Sequence, residues 1–208
     1  MKKLLNGVLD YKNYSRLKYD DLYEKLAGGQ SPETLMISCS DSRVMPTLFT
    51  SSDPGELFTV RCVGNIVPKS TAVGHAEGSA IEFAIRHLKV KQVVVCGHSG
   101  CGAMGGLLAP EAIESLPYVK SWLEHAHDSL DALAAYDGDR GNLDEVNLLS
   151  QLNVLQQLKH LETYDCVKEG VEGGTLTLGG WWFDIGVGMP LVYDEGEGKF
   201  VDVHDGMV

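Results

Sequence analysis

The chain has 208 residues, 44% of them hydrophobic, and a formal net charge of −12. That length and apolar content suit one domain, residues 1–208, with a full core, and they argue against disorder. The acidic balance disfavours nucleic acid and anionic membranes, which are met by basic patches. No apolar run approaches the roughly 20 residues that span a bilayer. Met1 to Leu5 begins like a signal peptide, but Asn6, Gly7 and Asp10 interrupt it, so the chain reads as cytoplasmic. The five cysteines are an odd number, and without an export signal they point away from a disulfide framework.

In chain order, Tyr19, Leu22, Tyr23 and Leu26 predict a helix over 12–27, stopped by Gly28 and Gly29. This arm has an apolar stripe and needs a surface, its own or a partner's. Residues 34–38 predict the first strand. Pro46 to Phe49 opens a short helix, and Asp53-Pro54-Gly55 makes a turn before a strand over 57–63. A helix is expected over 75–89 and a continuous apolar strand over 91–96, the pattern of a parallel strand covered on both faces. Residues 98–106 read as a glycine-rich loop. Helix follows over 111–136 with a break at Pro117. Asn142 and Glu145 suggest a capping box for a long helix striped by Val154, Leu158 and Leu161. The last strand spans 175–185, and 191–203 adds a β-ribbon at an edge. The class is α/β, a mainly parallel central sheet flanked by helices.

Two short stretches carry the chemistry. Cys39-Ser40-Asp41-Ser42-Arg43 follows the first strand, and His98-Ser99-Gly100-Cys101-Gly102 follows the 91–96 strand. Ligands of open parallel sheets bind beyond the carboxyl ends of strands, where strand order reverses. If the two strands are neighbours, Cys39, His98 and Cys101 converge. Gly100 and Gly102 permit the tight turn between the paired ligands. Two thiolates and one imidazole suit Zn²⁺, and three ligands leave a position for water, as catalytic sites do. Asp41 is either a fourth ligand or a carboxylate kept off the metal by a bidentate link to Arg43. In the second case it would orient a zinc-bound hydroxide. Two thiolates neutralise the ion's charge, so they lower the pKa of its water less than neutral ligands would.

These motifs, Cys-Ser-Asp-Ser-Arg and Gly-His-Ser-x-Cys-Gly some 55 residues apart, resemble those of the β-class carbonic anhydrases. Further segments match in family order: Gly29 to Pro32, Pro54 to Arg61, Ser79 to Ala84 and Gly180 to Ile185. The resemblance implies one Zn²⁺ per subunit on Cys39, His98 and Cys101, with Asp41 and Arg43 as the catalytic dyad. It implies reversible hydration of CO₂ to bicarbonate and a proton through a zinc-bound hydroxide. It also implies a homodimer or a dimer of dimers, with the arm over 1–30 packing on the partner. Gln30 would donate to substrate from across that interface, Phe58 and Val63 would form its apolar pocket, and the Gly102 N–H would face a substrate oxygen. One branch of the family has a regulatory bicarbonate site built on tryptophan, arginine and tyrosine. Met36 and Phe183 replace two of these three and leave only Arg61, so no bicarbonate-locked state is expected. Cys62, Gly64 and Phe83 depart from the family's usual asparagine, alanine and tyrosine, which bears on substrate placement and proton relay. His75 and His204 enter as proton-shuttle candidates only through their titration range. The alternatives are a hydrolase of COS or CS₂ using the same site and a non-catalytic zinc- or bicarbonate-binding protein.

Overall fold

A computed structural model describes residues 1–207. Six strands form one sheet: β1 (Thr34–Cys39), β2 (Leu57–Cys62), β3 (Gln92–His98), β4 (Thr177–Asp184), β5 (Met189–Asp194) and β6 (Lys199–Asp202). Their spatial order is β2-β1-β3-β4-β5-β6. The first four are parallel, and β5 and β6 are the antiparallel edge ribbon expected from the tail. The chain leaves β1 for β2 on one side and reaches β3 on the other, so the switch point lies between β1 and β3.

Nine α-helices are present among the described residues: α1 (Lys2–Asp10), α2 (Asp20–Leu26), α3 (Pro46–Phe49), α4 (Ala76–Glu82), α5 (Gly102–Leu108), α6 (Pro117–Leu123), α7 (His127–Ala134), α8 (Glu145–Leu161) and α9 (Asp165–Glu172). The strands alternate inward on both faces. Leu35, Ile37, Val93 and Val95 pack with Val154 and Leu161 of α8. Met36, Val94 and Cys96 pack on the opposite face with Val44 and Phe183. Beyond the strand ends a second core joins Cys39 and Cys101 to Met104, Leu107, Leu123, Leu133 and Leu149. Cys62 and Cys96 are buried thiols, and burial is the main force raising both, Cys62 out of the titratable range and Cys96 to about 12.

Several elements differ from the sequence reading. The arm is helical from Lys2 rather than from residue 12, passing through a wider turn over Tyr11–Ser15 and a tighter one over Arg16–Tyr19. Asn6 and Gly7 are tolerated in a helix with the stripe Leu5, Val8 and Leu9. No residue of α1 is buried, so its stripe has no surface within its own chain, whereas Leu22 and Leu26 of α2 are half-buried, Leu26 beside Gly55. Residues 102–106, expected as loop, belong to α5 despite three glycines. A Cβ at Gly106 would lie 3.0 Å from Ile113, so close packing explains a glycine that helix propensity disfavours. The long helix starts two residues later than expected, with Asp144 as its cap accepting the Asn147 N–H at 2.8 Å. Helix α9 has no counterpart among the elements expected from the sequence. No helix among the described residues is long and apolar enough to cross a membrane.

Candidate metal centre

Cys39 ends β1 and His98 ends β3, two neighbouring strands whose register sets Ser38 opposite Cys96. Cys101 follows one tight turn later and caps α5. The ligating atoms of the three side chains lie within 4.8 Å of one another, and all three residues are buried. They are the single such group of three among the described residues. His98 Nδ1 sits 3.0 Å from the Ser99 carbonyl. A proton there donates to that oxygen and leaves Nε2 its lone pair, the tautomer a metal needs. His98 Nε2 is buried with no hydrogen-bond partner, an orphan that a cation would satisfy.

The electrostatics point the same way. A hydrogen bond from Cys101 pulls the Cys39 thiol down to about 4 against the pull of burial, with His98 and the amides of Asp41 and Gly64 helping. That shared bond and burial push Cys101 up, so one thiolate and one thiol share the pair in the absence of a cation. Burial lowers His98, but the nearby Cys39 sulfur and its negative charge outweigh it and raise the imidazole overall.

Asp41 and Arg43 form the bidentate link. Arg43 Nε donates to Oδ1 at 2.9 Å and Nη2 to Oδ2 at 2.7 Å, and the Arg43 backbone N–H adds a bond to Oδ1 at 2.9 Å. These bonds, those of the guanidinium first, hold the Asp41 carboxyl well below the usual carboxylate range. Its Oδ2 lies 3.9 Å from His98 Nε2. Arg43 Nη2 also donates to the Gly100 carbonyl at 3.2 Å, which ties the two loops together.

Sequence reasoning missed most of what holds these loops. Arg61 on β2 donates to the carbonyls of Cys39, Asp41 and Val44 at 2.9, 2.7 and 2.8 Å, a clamp on the whole Cys39–Val44 turn. Helix α8 holds the other loop: Asn147 Oδ1 accepts from Gly100 N at 2.7 Å, and Ser150 Oγ donates to the His98 carbonyl at 2.8 Å. The available signal was a run of uncharged polar residues, Asn147, Ser150, Asn153 and Gln157, at helical spacing on a helix that also carries an apolar stripe.

Val63 and Gly102 sit beside the ligands, directly after β2 and Cys101 respectively. Phe58 and Gln30 do not reach the cluster of their own chain. Phe58 pairs with Leu35, four residues before the Cys39–Cys62 pair, which is about 13 Å at about 3.3 Å per residue. Gln30 precedes the opposite end of β1 and is exposed beside Leu22, Leu26 and Pro54. Of the two shuttle candidates, His75 is used structurally. Its Nδ1 accepts from Gly78 N at 2.9 Å to cap α4, and its Nε2 lies 3.3 Å from Tyr164 Oη. His204 is exposed and accepts from Gly206 N at 3.2 Å.

Fold and site together define an α/β protein with a Cys–His–Cys cluster able to hold a metal ion at its switch point. Comparison with known proteins names the class more closely. The carbonic anhydrase family profile matches residues 34–189. The carbonic anhydrase of Synechocystis sp. is 40% identical over 199 residues, covering 93% of this chain and 71% of that one. That of Pseudomonas aeruginosa is 36% identical over 203 residues, covering 98% and 92%. The solved β-carbonic anhydrase CcaA superposes with a TM-score of 0.92 at 38% identity, covering 98% of this chain and 99% of that one. A tetrameric β-carbonic anhydrase of the ascomycete Sordaria macrospora gives 0.78 at 32% identity, covering 92% and 95%. The chain belongs to the β-carbonic anhydrase family.

Proposed function

We propose that this chain hydrates CO₂ reversibly to bicarbonate and a proton, using a zinc ion held by Cys39, His98 and Cys101. The observation that carries the reading is the Asp41–Arg43 pair, fixed by three hydrogen bonds with its carboxylate 3.9 Å from His98 Nε2. A purely structural metal site has no use for an oriented carboxylate beside its ligands. Two thiolates and an imidazole suit Zn²⁺ and leave a tetrahedral position for water. When bound, the ion supplies the Lewis acidity that makes water a nucleophile near neutral pH.

The chain's own groups do the rest. Asp41, kept ionised by Arg43, accepts a hydrogen bond from the attacking water and turns its lone pair toward the substrate. Val63 gives CO₂ an apolar wall, and the Gly102 N–H donates to a substrate oxygen. Gln30 and Phe58, too far from the cluster of their own chain, complete the site of a partner subunit in a homodimer or dimer of dimers. The unburied stripe of α1 and the half-exposed Phe58, 5.9 Å from Phe83, support this arrangement. No bicarbonate-locked state forms, because the Arg61 guanidinium is committed to three loop carbonyls while Met36 and Phe183 pack in an apolar cluster.

Stopped-flow CO₂ hydration with metal analysis tests the whole reading. The wild-type protein should contain about one zinc per chain and hydrate CO₂, and Cys39→Ser and His98→Ala should lose metal and activity together. Unchanged hydration by a zinc-free variant refutes it. Turnover of COS or CS₂ without CO₂ hydration assigns the site to a hydrolase, and zinc without any turnover assigns it to binding alone.

A further inference from the structure

We propose that Asn153, midway along α8, is a positioning residue for the metal centre, acting through Gly64 on the Cys39 sulfur. The inference rests on the reading that Cys39, His98 and Cys101 hold a metal ion. Asn153 is 1% exposed, and its Nδ2 donates to the Gly64 carbonyl at 3.0 Å. The Gly64 N–H in turn donates to Cys39 Sγ at 3.3 Å. One glycine thus carries a hydrogen bond at each end, with a helix side chain on one and a metal ligand on the other.

Nothing in this chain of contacts is free to turn. Asn153 Oδ1 accepts from Ser129 Oγ at 3.0 Å and from Gln157 Nε2 at 2.9 Å. Two donors on that oxygen determine which way the amide faces, since the flipped amide would point its NH₂ at them. Ser129 and Gln157 are fully buried, and Gln157 Oε1 accepts from Val67 N at 2.8 Å, which fixes its amide too. Gly64 itself has φ +72°, and a Cβ on it would lie 2.8 Å from Ala103 Cβ. The preceding carbonyl, Val63 O, accepts from Trp122 Nε1 at 2.8 Å. The segment 63–67 hangs from several buried or half-buried side chains, Trp122, Asn153, Gln157 and His160 among them, so the Gly64 N–H is aimed at the sulfur before any cation arrives.

The consequence is electronic. An N–H donor on a thiolate draws charge from the sulfur, weakens its donation to a bound cation and leaves that cation the stronger Lewis acid. Two anionic thiolates otherwise neutralise a divalent ion, which works against water activation. Asn153 offsets part of that effect through the backbone.

The test is Co²⁺ substitution of the whole protein, reading the thiolate-to-cobalt charge-transfer absorption, with metal affinity from chelator competition and folding from thermal melting. Asn153→Leu keeps a similar volume and removes the donor. Its band should move to longer wavelength, and because a ligand no longer held in place outweighs the stronger sulfur donation, its metal affinity should fall about 10-fold to 100-fold. A folded Asn153→Leu protein with the wild-type band and affinity overturns the proposal, as does one that only melts earlier. If that variant does not fold, Ser129→Ala removes one of the two donors that orient the amide. A smaller shift in the same direction supports the proposal, and an unmoved band overturns it. A wild-type protein with no thiolate band at all sinks the metal reading itself, whereas a wild-type band unmoved in both variants sinks only the role of Asn153.

Discussion

At the residue scale the decisive group is Asp41. It was legible as half of an Asp-x-Arg pair, but the sequence left two roles open, ligand or oriented acceptor. The structure brings three donors onto its oxygens, none of them from the cluster of Cys39, His98 and Cys101. Asp41→Asn should therefore keep the metal and lose about 10²- to 10⁴-fold in kcat, measured by stopped flow beside metal analysis. Arg43→Lys replaces a fork by a point charge and should cost roughly 10-fold to 100-fold. The Asp41 carboxyl is held below its ordinary value of about 3.9, so the native state binds its proton less readily than the unfolded chain does. Its contribution to stability is fully present above about pH 3.9 and is lost as pH falls through the lower, folded value. Carboxyl ¹³C shifts followed by NMR should show a midpoint for Asp41 below that ordinary value. A midpoint at or above it would mean the Arg43 link is absent in solution.

At the scale of elements, strand identity was legible because β1 and β3 are continuous apolar runs buried on both faces, which only a covered parallel sheet requires. Helix ends were less so. Asn142 and Asp144 are both good caps by type, and the choice fell to Asp144 because Asn147 and its side chain must reach Gly100. Asp144→Ala should cost about 1 kcal/mol of stability in urea denaturation. Gly64→Ala should cost more, about 1–3 kcal/mol, because the left-handed backbone and the Ala103 contact both oppose a Cβ. The same denaturation series would show it, and a neutral result would mean that the turn carrying the Cys39 N–H···S bond is not rigid.

At the scale of the whole molecule the arm carries an exposed apolar stripe that the proposed homo-oligomer would cover. Leu4, Val8 and Leu17 are each at least 60% exposed, and Gln30 and Phe58 stand too far from their own cluster to act on it. Deleting residues 1–26 should leave metal content intact, because all three ligands belong to one chain, while lowering the sedimenting mass and abolishing CO₂ hydration. An active truncated monomer would sink the shared-site reading. The sequence by itself determined the class of fold, the three residues of the Cys–His–Cys cluster and the Asp41–Arg43 pair, because buried strands and their terminal loops leave local, short-range signatures. Tertiary structure alone decided that β1 and β3 are neighbours, that Arg61 clamps the first loop and that α8 suspends the others. Those contacts join residues up to about 90 positions apart, as from Asn153 to Gly64. No local pattern encodes them; only the packed sheet and helix bring the partners within a hydrogen bond's reach.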